Sequence, residues 1–526
     1  MVSFPNLPVE TIIRLLSFLS PNELAPCARL SKQLLNIIQT SSLLTYILEL
    51  GKAGLKKPEF VNYPQLEESG INPSDLLTTL RKRERGLSQF AWNEQWDIPV
   101  EKQYTIQDVC GSVFVGGISL QEDEIAHNRF DAMDVYDFSD IQNPKAPITT
   151  LFFDKLYDNC AIDPGQDLLI LVEKITHICH YKLHFRCLST GHHYEHCTIL
   201  IPVPDSEENE GPVQIEIEIC GDTLLFRQMN SLTIVRWKTG HTQAMYSEFR
   251  GSFTCRLISE IEFLLIGRSV PVLEYYTLYE FGGSDPSIKL QNRVDFSLPF
   301  IDDHDSSPWR IERNAMLVSS EALYTPKPFS PFVGPSTLLY PSESQLVHLH
   351  CYDVIPTGSC VLERCRPRDN IDMFVHIGQL RKLRDRYSTG SSMQPSKIPA
   401  VPWNIWGTDT TRVFGHEYTG WGKRSIRGSR ALIVADGYFS TTIFDFNPTT
   451  ETSSTSDIIQ DQSEVVTDDG LKIRSSLPYR KIPLPYSQSQ YNIRPDLIGD
   501  DIIYVPVGVC PLKLLDNLQE IFLVSW

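Results

Sequence analysis

No two cysteines in this chain are spaced as CxxC, although twelve are present among 526 residues. The absence removes the small disulfide framework and the common zinc-finger spacings. No apolar run approaches the roughly 20 residues that cross a bilayer as a helix, so no membrane is expected. Positive charge is in deficit: Lys and Arg number 47 against 65 Asp and Glu, a net charge of −18. An acidic chain is a poor match to a phosphate backbone, and no nucleic acid is expected as partner. The first residues lack a basic leader and are interrupted by Pro5 and Pro8, a poor secretory signal. Scattered cysteines then read as reduced thiols in the cytoplasm and/or nucleus. Catalytic signatures are missing too. There is no GxSxG elbow, no GxxxxGK[ST] loop and no GxGxxG fingerprint. No cofactor is expected.

What is present is apolar surface, 41% of residues hydrophobic and 10% aromatic, enough for a packed globule of more than one domain. The N-terminal part is helical in pattern. Pro8 suits a first helical turn, Glu10 suits its positive end, and Ile12, Leu15, Leu16 and Leu19 recur as one stripe over residues 7–19. Ser20-Pro21-Asn22-Glu23 then reads as a capping box. A second stripe follows through Leu24, Cys27, Ser31, Leu34 or Leu35, and Ile38. Pro26 removes an amide from that helix, which starts either at Pro21 or near Ala25. Two helices this short are marginal alone, so something must cover them. Further helical segments are SLLTYILELGKAG, closed by Gly51 and Gly54, and SDLLTTLRKRERGL, with Ser74 as cap. The RKRER run is read as a solvated helix face.

From about Phe90 the pattern changes to short β-type runs separated by Gly, Pro, Asn and Asp. Several begin with an acidic turn and continue apolar, as in Asp167-Leu168-Leu169-Ile170, Asp222-Thr223-Leu224-Leu225 and Asp501-Ile502-Ile503-Tyr504. FRCLSTGHH (185–193) aligns with VRWKTGHTQ (235–243), and MDVYDFS lies one such interval upstream. A repeat of about 50 residues in an all-β chain is what stacked four-stranded blades produce, with a two-sheet sandwich array as the runner-up. The expected fold is α+β and multidomain. Helical residues 1–50 and a helical linker at 51–90 precede a β-propeller-like domain at 91–526, with about seven or eight degenerate WD-repeat-like blades. Acidic segments near 203–212 and 451–470 read as flexible loops.

The densest cluster of possible ligands is HICHYKLHFRCLSTGHHYEHC (177–197). Alternation places Cys179, Tyr181, Leu183, Phe185 and Cys187 on one strand face, and His180, Lys182, His184 and Arg186 on the other. That is an ordinary half-buried strand, and no metal site is assigned. HLHCYD (348–353) is weaker still. Tryptophans mark presumed strand ends, and PAVPWNIWGTD (399–409) is read as an exposed loop offering Trp403 and Trp406 to a substrate.

The opening stretch resembles an F-box. The family pattern begins Leu-Pro-x-Glu, here Leu7-Pro8-Val9-Glu10, and continues with the apolar stripe Ile12 to Leu19 and the turn Pro21-Asn22-Glu23-Leu24. Its later Cys-Lys/Arg-x-Trp run is matched as Ser31-Lys32-Gln33-Leu34, without the tryptophan. SLLTYILELGKAGL and RKRERGLSQFAW resemble the segments that follow the F-box in basidiomycete fungal members with a propeller-like C-terminal domain. The resemblance implies a non-catalytic substrate adaptor of a ubiquitin ligase. Leu7, Pro8, Ile12, Leu15, Leu16, Leu19, Leu24, Cys27 and Leu34 would meet the Skp subunit of a cullin–RING ligase. The β domain would then hold an unidentified protein. Alternatives from other classes are a propeller-based hydrolase or lyase, and an F-box scaffold outside any ligase.

Overall fold

A computed structural model describes residues 7–57, 66, 70–89, 94–99, 106–110, 113–120, 129–137, 147–175, 180–202, 215–228, 231–246, 253–267, 272–280, 288–299, 312–319, 345–354, 371–388, 400–415, 424–434, 441–446, 458–466, 472–483, 493–498, 501–506 and 520–525. Among the described residues five helices come first: α1 (Val9–Leu16), α2 (Pro21–Leu30), α3 (Lys32–Thr40), α4 (Ser42–Lys52) and α5 (Pro73–Gln89). The second expected helix is in fact two. Ser31 is extended at φ −158°, and its hydroxyl accepts from the amide of Leu34 at 3.1 Å to cap α3. The capping box forms as read, with the Ser20 amide donating to the Glu23 carboxylate at 2.9 Å. That box starts α2 at Pro21, leaving Pro26 inside the helix. At α5, Asn72 rather than Ser74 takes the capping position, accepting from the Ser74 amide at 3.1 Å.

The helices share a core: Ile12, Leu16 and Leu24 pack with Ile37, Ile38, Leu44, Tyr46, Ile47 and Leu50, and with Leu76, Leu77 and Leu80 of α5. The cover that α1 and α2 lacked in sequence therefore comes largely from residues 37–80 of the same chain. Gly51 makes one close approach possible, since a Cβ there would run into the ring of Pro21.

The strands follow in chain order, beginning with β1 (Glu94–Pro99). Blade 1 is β2 (Ile106–Cys110), β3 (Val113–Ile118), β4 (Phe130–Asp137) and β5 (Thr149–Tyr157). Blade 2 is β6 (Asn159–Asp163), β7 (Leu168–Ile175), β8 (His180–Cys187) and β9 (His193–Pro202). Blade 3 is β10 (Ile215–Cys220), β11 (Thr223–Gln228), β12 (Ser231–Arg236) and β13 (His241–Tyr246). Blade 4 is β14 (Phe253–Ser259), β15 (Glu262–Gly267), β16 (Val272–Glu280) and β17 (Ile288–Ser297). Blade 5 is β18 (Glu312–Ser319), β19 (Leu346–Val354), β20 (Ile371–His376) and β21 (Thr411–Phe414). Between β20 and β21 it carries α6 (Ile377–Ser388) and α7 (Trp403–Thr410).

Blade 6 contains β22 (Arg424–Arg427), β23 (Arg430–Val434), β24 (Thr441–Asp445), an added edge β25 (Ile458–Ile459), and β28 (Tyr479–Pro483). A hairpin of β26 (Ser463–Val466) and β27 (Lys472–Ser475) precedes β28. Blade 7 is β29 (Ile493–Ile498), β30 (Asp501–Pro506) and β31 (Glu520–Ser525), completed by β1.

Among the described residues there are thus six four-stranded sheets and one five-stranded sheet, seven blades in all. The first strand of each contacts that of the next, from β2 through β6, β10, β14, β18 and β22 to β29. Antiparallel pairing of β1 with β31, Glu94 opposite Ser525, clasps the first and last strands in one sheet. This is a β-propeller.

From blade 1 to blade 6 the described residues form an apolar layer between each blade and the next, and middle strands feed two layers at once. In β7, Leu169 and Leu171 pack toward blade 1, while Leu168, Ile170 and Val172 pack toward blade 3. Burial on both faces explains the unbroken apolar runs in the sequence. The internal repeat marks equivalent turns. Gly191 and Gly240 have φ of 72° and 75° in the connections from third to fourth strand of blades 2 and 3. MDVYDFS contributes to β4, the third strand of blade 1.

One of the two loop assignments changes. Residues 458–459 and 463–466, inside the expected flexible loop at 451–470, form β25 and β26. There Glu464 lies 2.9 Å from both Lys472 and Arg474 across the hairpin, which offsets the acidity of that segment. The segment near 203–212 lies outside the described residues.

Candidate functional site

The helical domain presents apolar side chains outward although it owns a core. Ile12 and Leu16 on α1 turn inward, and Leu15 between them is 48% exposed. Phe18, in the turn after α1, is 58% exposed, and Leu30 at the end of α2 is 73% exposed. Val9 and Leu35 are exposed as well. Large apolar side chains held in water cost free energy of about 25 cal/mol per Å² until something covers them. Helices fixed by their own core offer them as a preorganised surface, which lowers the ordering cost of association.

Polar contacts hold the turn between α1 and α2 that carries Phe18. The Ser17 hydroxyl donates to the Arg14 carbonyl at 2.8 Å, and Lys57 Nζ donates to the Ser17 carbonyl at 2.6 Å. Burial lowers the pKa of Lys57, opposed by the nearby Glu23 carboxylate. The Ser20 amide and hydroxyl hold Glu23 below the usual carboxylate range.

The nine residues expected to meet a partner divide three ways. Ile12, Leu16 and Leu24 are closed off in the chain's own core. Leu7, Leu19, Cys27 and Leu34 are half-buried and pack against that core from outside. Pro8 and Leu15 are exposed, and the Pro8 carbonyl accepts from the Ile12 amide at 3.1 Å. Val9, Phe18, Leu30 and Leu35, which the sequence did not place in that set, are exposed apolar residues of the same unit. Their signal was there: a large apolar residue off the helical stripe has no internal reason to be apolar.

The expected substrate loop is also revised. Residues 403–410 form α7, not a loop. Trp406 is fully buried in the layer between blades 4 and 5, and its Nε1 donates to the Ser297 carbonyl at 2.8 Å. Trp403 is half-buried and meets Trp406 edge-on, with ring centroids 5.0 Å apart.

The histidine-rich segment behaves as a strand, as its alternation implies. Tyr181, Leu183 and Phe185 of β8 enter the layer between blades 2 and 3. On the other face, His184 Nε2 lies 2.8 Å from Glu173, and burial lowers its pKa. His177 and Cys179 lie outside the described residues. The RKRER face of α5 exposes Arg81, Lys82 and Arg85, and Arg81 reaches Glu49 of α4 at 3.5 Å.

Among protein families, the F-box domain matches residues 4–46. No curated protein matches the chain in sequence. Among solved structures, Hsv2 of Kluyvelomyces marxianus is similar at 9% identity and a TM-score of 0.36, over 77% of this chain and 90% of that one. The WD40 repeats of RRP9 are similar at 6% identity and a TM-score of 0.33, over 82% and 97%. Both scores are low, so the propeller assignment rests on the sheet order itself.

Proposed function

We infer that the chain is a substrate-recognition adaptor of a Skp–cullin–F-box ubiquitin ligase. The observation that carries this reading is the F-box match at residues 4–46, where the structure holds a rigid helical unit with outward Leu15, Phe18 and Leu30. These side chains dock on the Skp subunit, and the propeller holds the protein to be modified. The mechanism is proximity. Tethering a target beside a charged ubiquitin-conjugating enzyme raises the effective concentration of its lysines, with no covalent step on this chain.

The test is binding of purified Skp to the full chain and to a Leu15→Asp/Phe18→Asp variant. Both side chains are exposed, so the variant keeps its thermal melting midpoint. Charging two central apolar contacts costs roughly 2–4 kcal/mol each and removes binding at micromolar concentrations. Undiminished Skp binding by this variant contradicts the reading.

A further inference from the structure

HLHCYD is a weak motif along the chain, but strand pairing gives it a third member. In β19, His348 and His350 are two apart and share a face. In β20, Asp372 stands directly opposite His350. The three functional groups converge on one oxygen. His348 Nε2 lies 2.8 Å and His350 Nδ1 3.0 Å from Asp372 Oδ1.

We propose that His348, His350 and Asp372 form a binding site for a divalent transition-metal ion of the zinc type, set into blade 5 where it faces blade 6. Two imidazoles and a carboxylate are a ligand set that such ions favour, with one position left for water. All three ligand atoms already lie within 4.8 Å of one another. Tetrahedral ligation at about 2.0–2.1 Å separates ligand atoms by about 3.3 Å. The Asp372–histidine spacings therefore open by only a few tenths of an ångström on binding.

The surroundings support a built site. His348 and Asp372 are fully buried, so two of the three ligand groups are held in place by the packing around them. The His348 ring is stacked on Phe374 with centroids 4.8 Å apart at 13°, which fixes its orientation. His350 alone is partly exposed, its side chain at 18%, and gives the ion and a water ligand their route in. The buried cation Arg412 stands opposite Phe374, two register positions along β21 from Phe414, the partner of Asp372. Its guanidinium is committed to the Asp461 carbonyl at 2.9 Å and to the face of Tyr479. On the opposite faces of the same strands, Val347, Leu349, Cys351, Met373 and Val375 are apolar core. A bound ion would staple β19 to β20 at the layer between blades 5 and 6.

The experiment titrates the full chain with Co2+, a spectroscopic stand-in for zinc, and then with competing Zn2+. One equivalent should give the visible d–d bands of tetrahedral Co2+, be displaced by Zn2+, and raise the thermal melting midpoint. His350→Ala should weaken Co2+ binding at least about tenfold, as losing even an outer-sphere partner typically does. His350→Cys keeps a ligand and should add a sulfur-to-cobalt charge-transfer band, a signature that a misfolded variant does not give. Absence of saturable binding by the wild-type chain overturns the proposal. So does equal Co2+ affinity in wild type and His350→Ala.

Discussion

Glu262 shows how single residues fasten the inserted helices to the propeller. It is buried at the start of β15, yet it receives Arg381 of α6 at 2.8 Å, Tyr275 at 2.7 Å and Ser259 at 2.8 Å, with Arg384 beside it. Burial alone would raise its pKa. Arg381, followed by Tyr275, Ser259 and Arg384, outweighs burial and holds the carboxyl below its ordinary range. A depressed carboxyl pKa adds stability that is present above the unfolded pKa and is lost as pH falls through the folded one. Glu262→Gln should therefore lose up to about 3 kcal/mol at neutral pH, because two arginines keep their charge without the carboxylate. The two denaturation curves should converge on acidification below the ordinary carboxylate range. A difference that stays constant with pH contradicts the role given to this charge.

At the scale of elements, the strands were more legible than the helices. Apolar runs after an acidic turn marked second strands, because those strands are buried on both faces. Asp167, at φ 56°, leads into β7 in the way that turn composition implies. The repeat at Thr190-Gly191 and Thr239-Gly240 was readable because each tight turn needs a left-handed glycine. The break between α2 and α3 was hidden. Leu24, Cys27, Ser31, Leu34 and Ile38 keep one period across it, and only the backbone angle of Ser31 reveals the stop.

The nature of α7 was hidden for a different reason. Pro399, Pro402, Asn404 and Gly407 read as a loop, whereas burial of Trp406 against Phe296 and Ser297 decides the conformation from a distance of about 100 residues. Trp406→Ala should cost about 3–5 kcal/mol of propeller stability by opening a cavity. It should leave Skp affinity unchanged. Reduced target binding at unaltered stability would restore Trp406 as a recognition residue.

Across the whole molecule, the helical unit and the propeller are joined through a ladder of charges. Glu49 of α4 pairs with Arg81 of α5 at 3.5 Å, and Glu84 of α5 with Arg430 of blade 6 at 3.4 Å. Arg430 and Arg480 both approach Asp445, at 3.7 Å and 3.3 Å. The Glu84–Arg430 pair thus ties the helical unit to blade 6. Periodicity and turn composition carried the two-part architecture. The sequence could not separate buried from outward-facing residues within one apolar stripe, because Ile12, Leu15, Leu16 and Leu19 are all leucine or isoleucine at helical spacing.

The central claim is that this chain bridges a cullin ligase and a target. It is tested most directly by affinity purification of the full chain with the proteasome blocked, scored for the cullin subunit. Cullin should co-purify with the wild-type chain, accompanied by accumulating target protein, and should be lost with Leu15→Asp/Phe18→Asp while the target remains bound. Skp recovered without cullin, or cullin recovered equally with both chains, would contradict it.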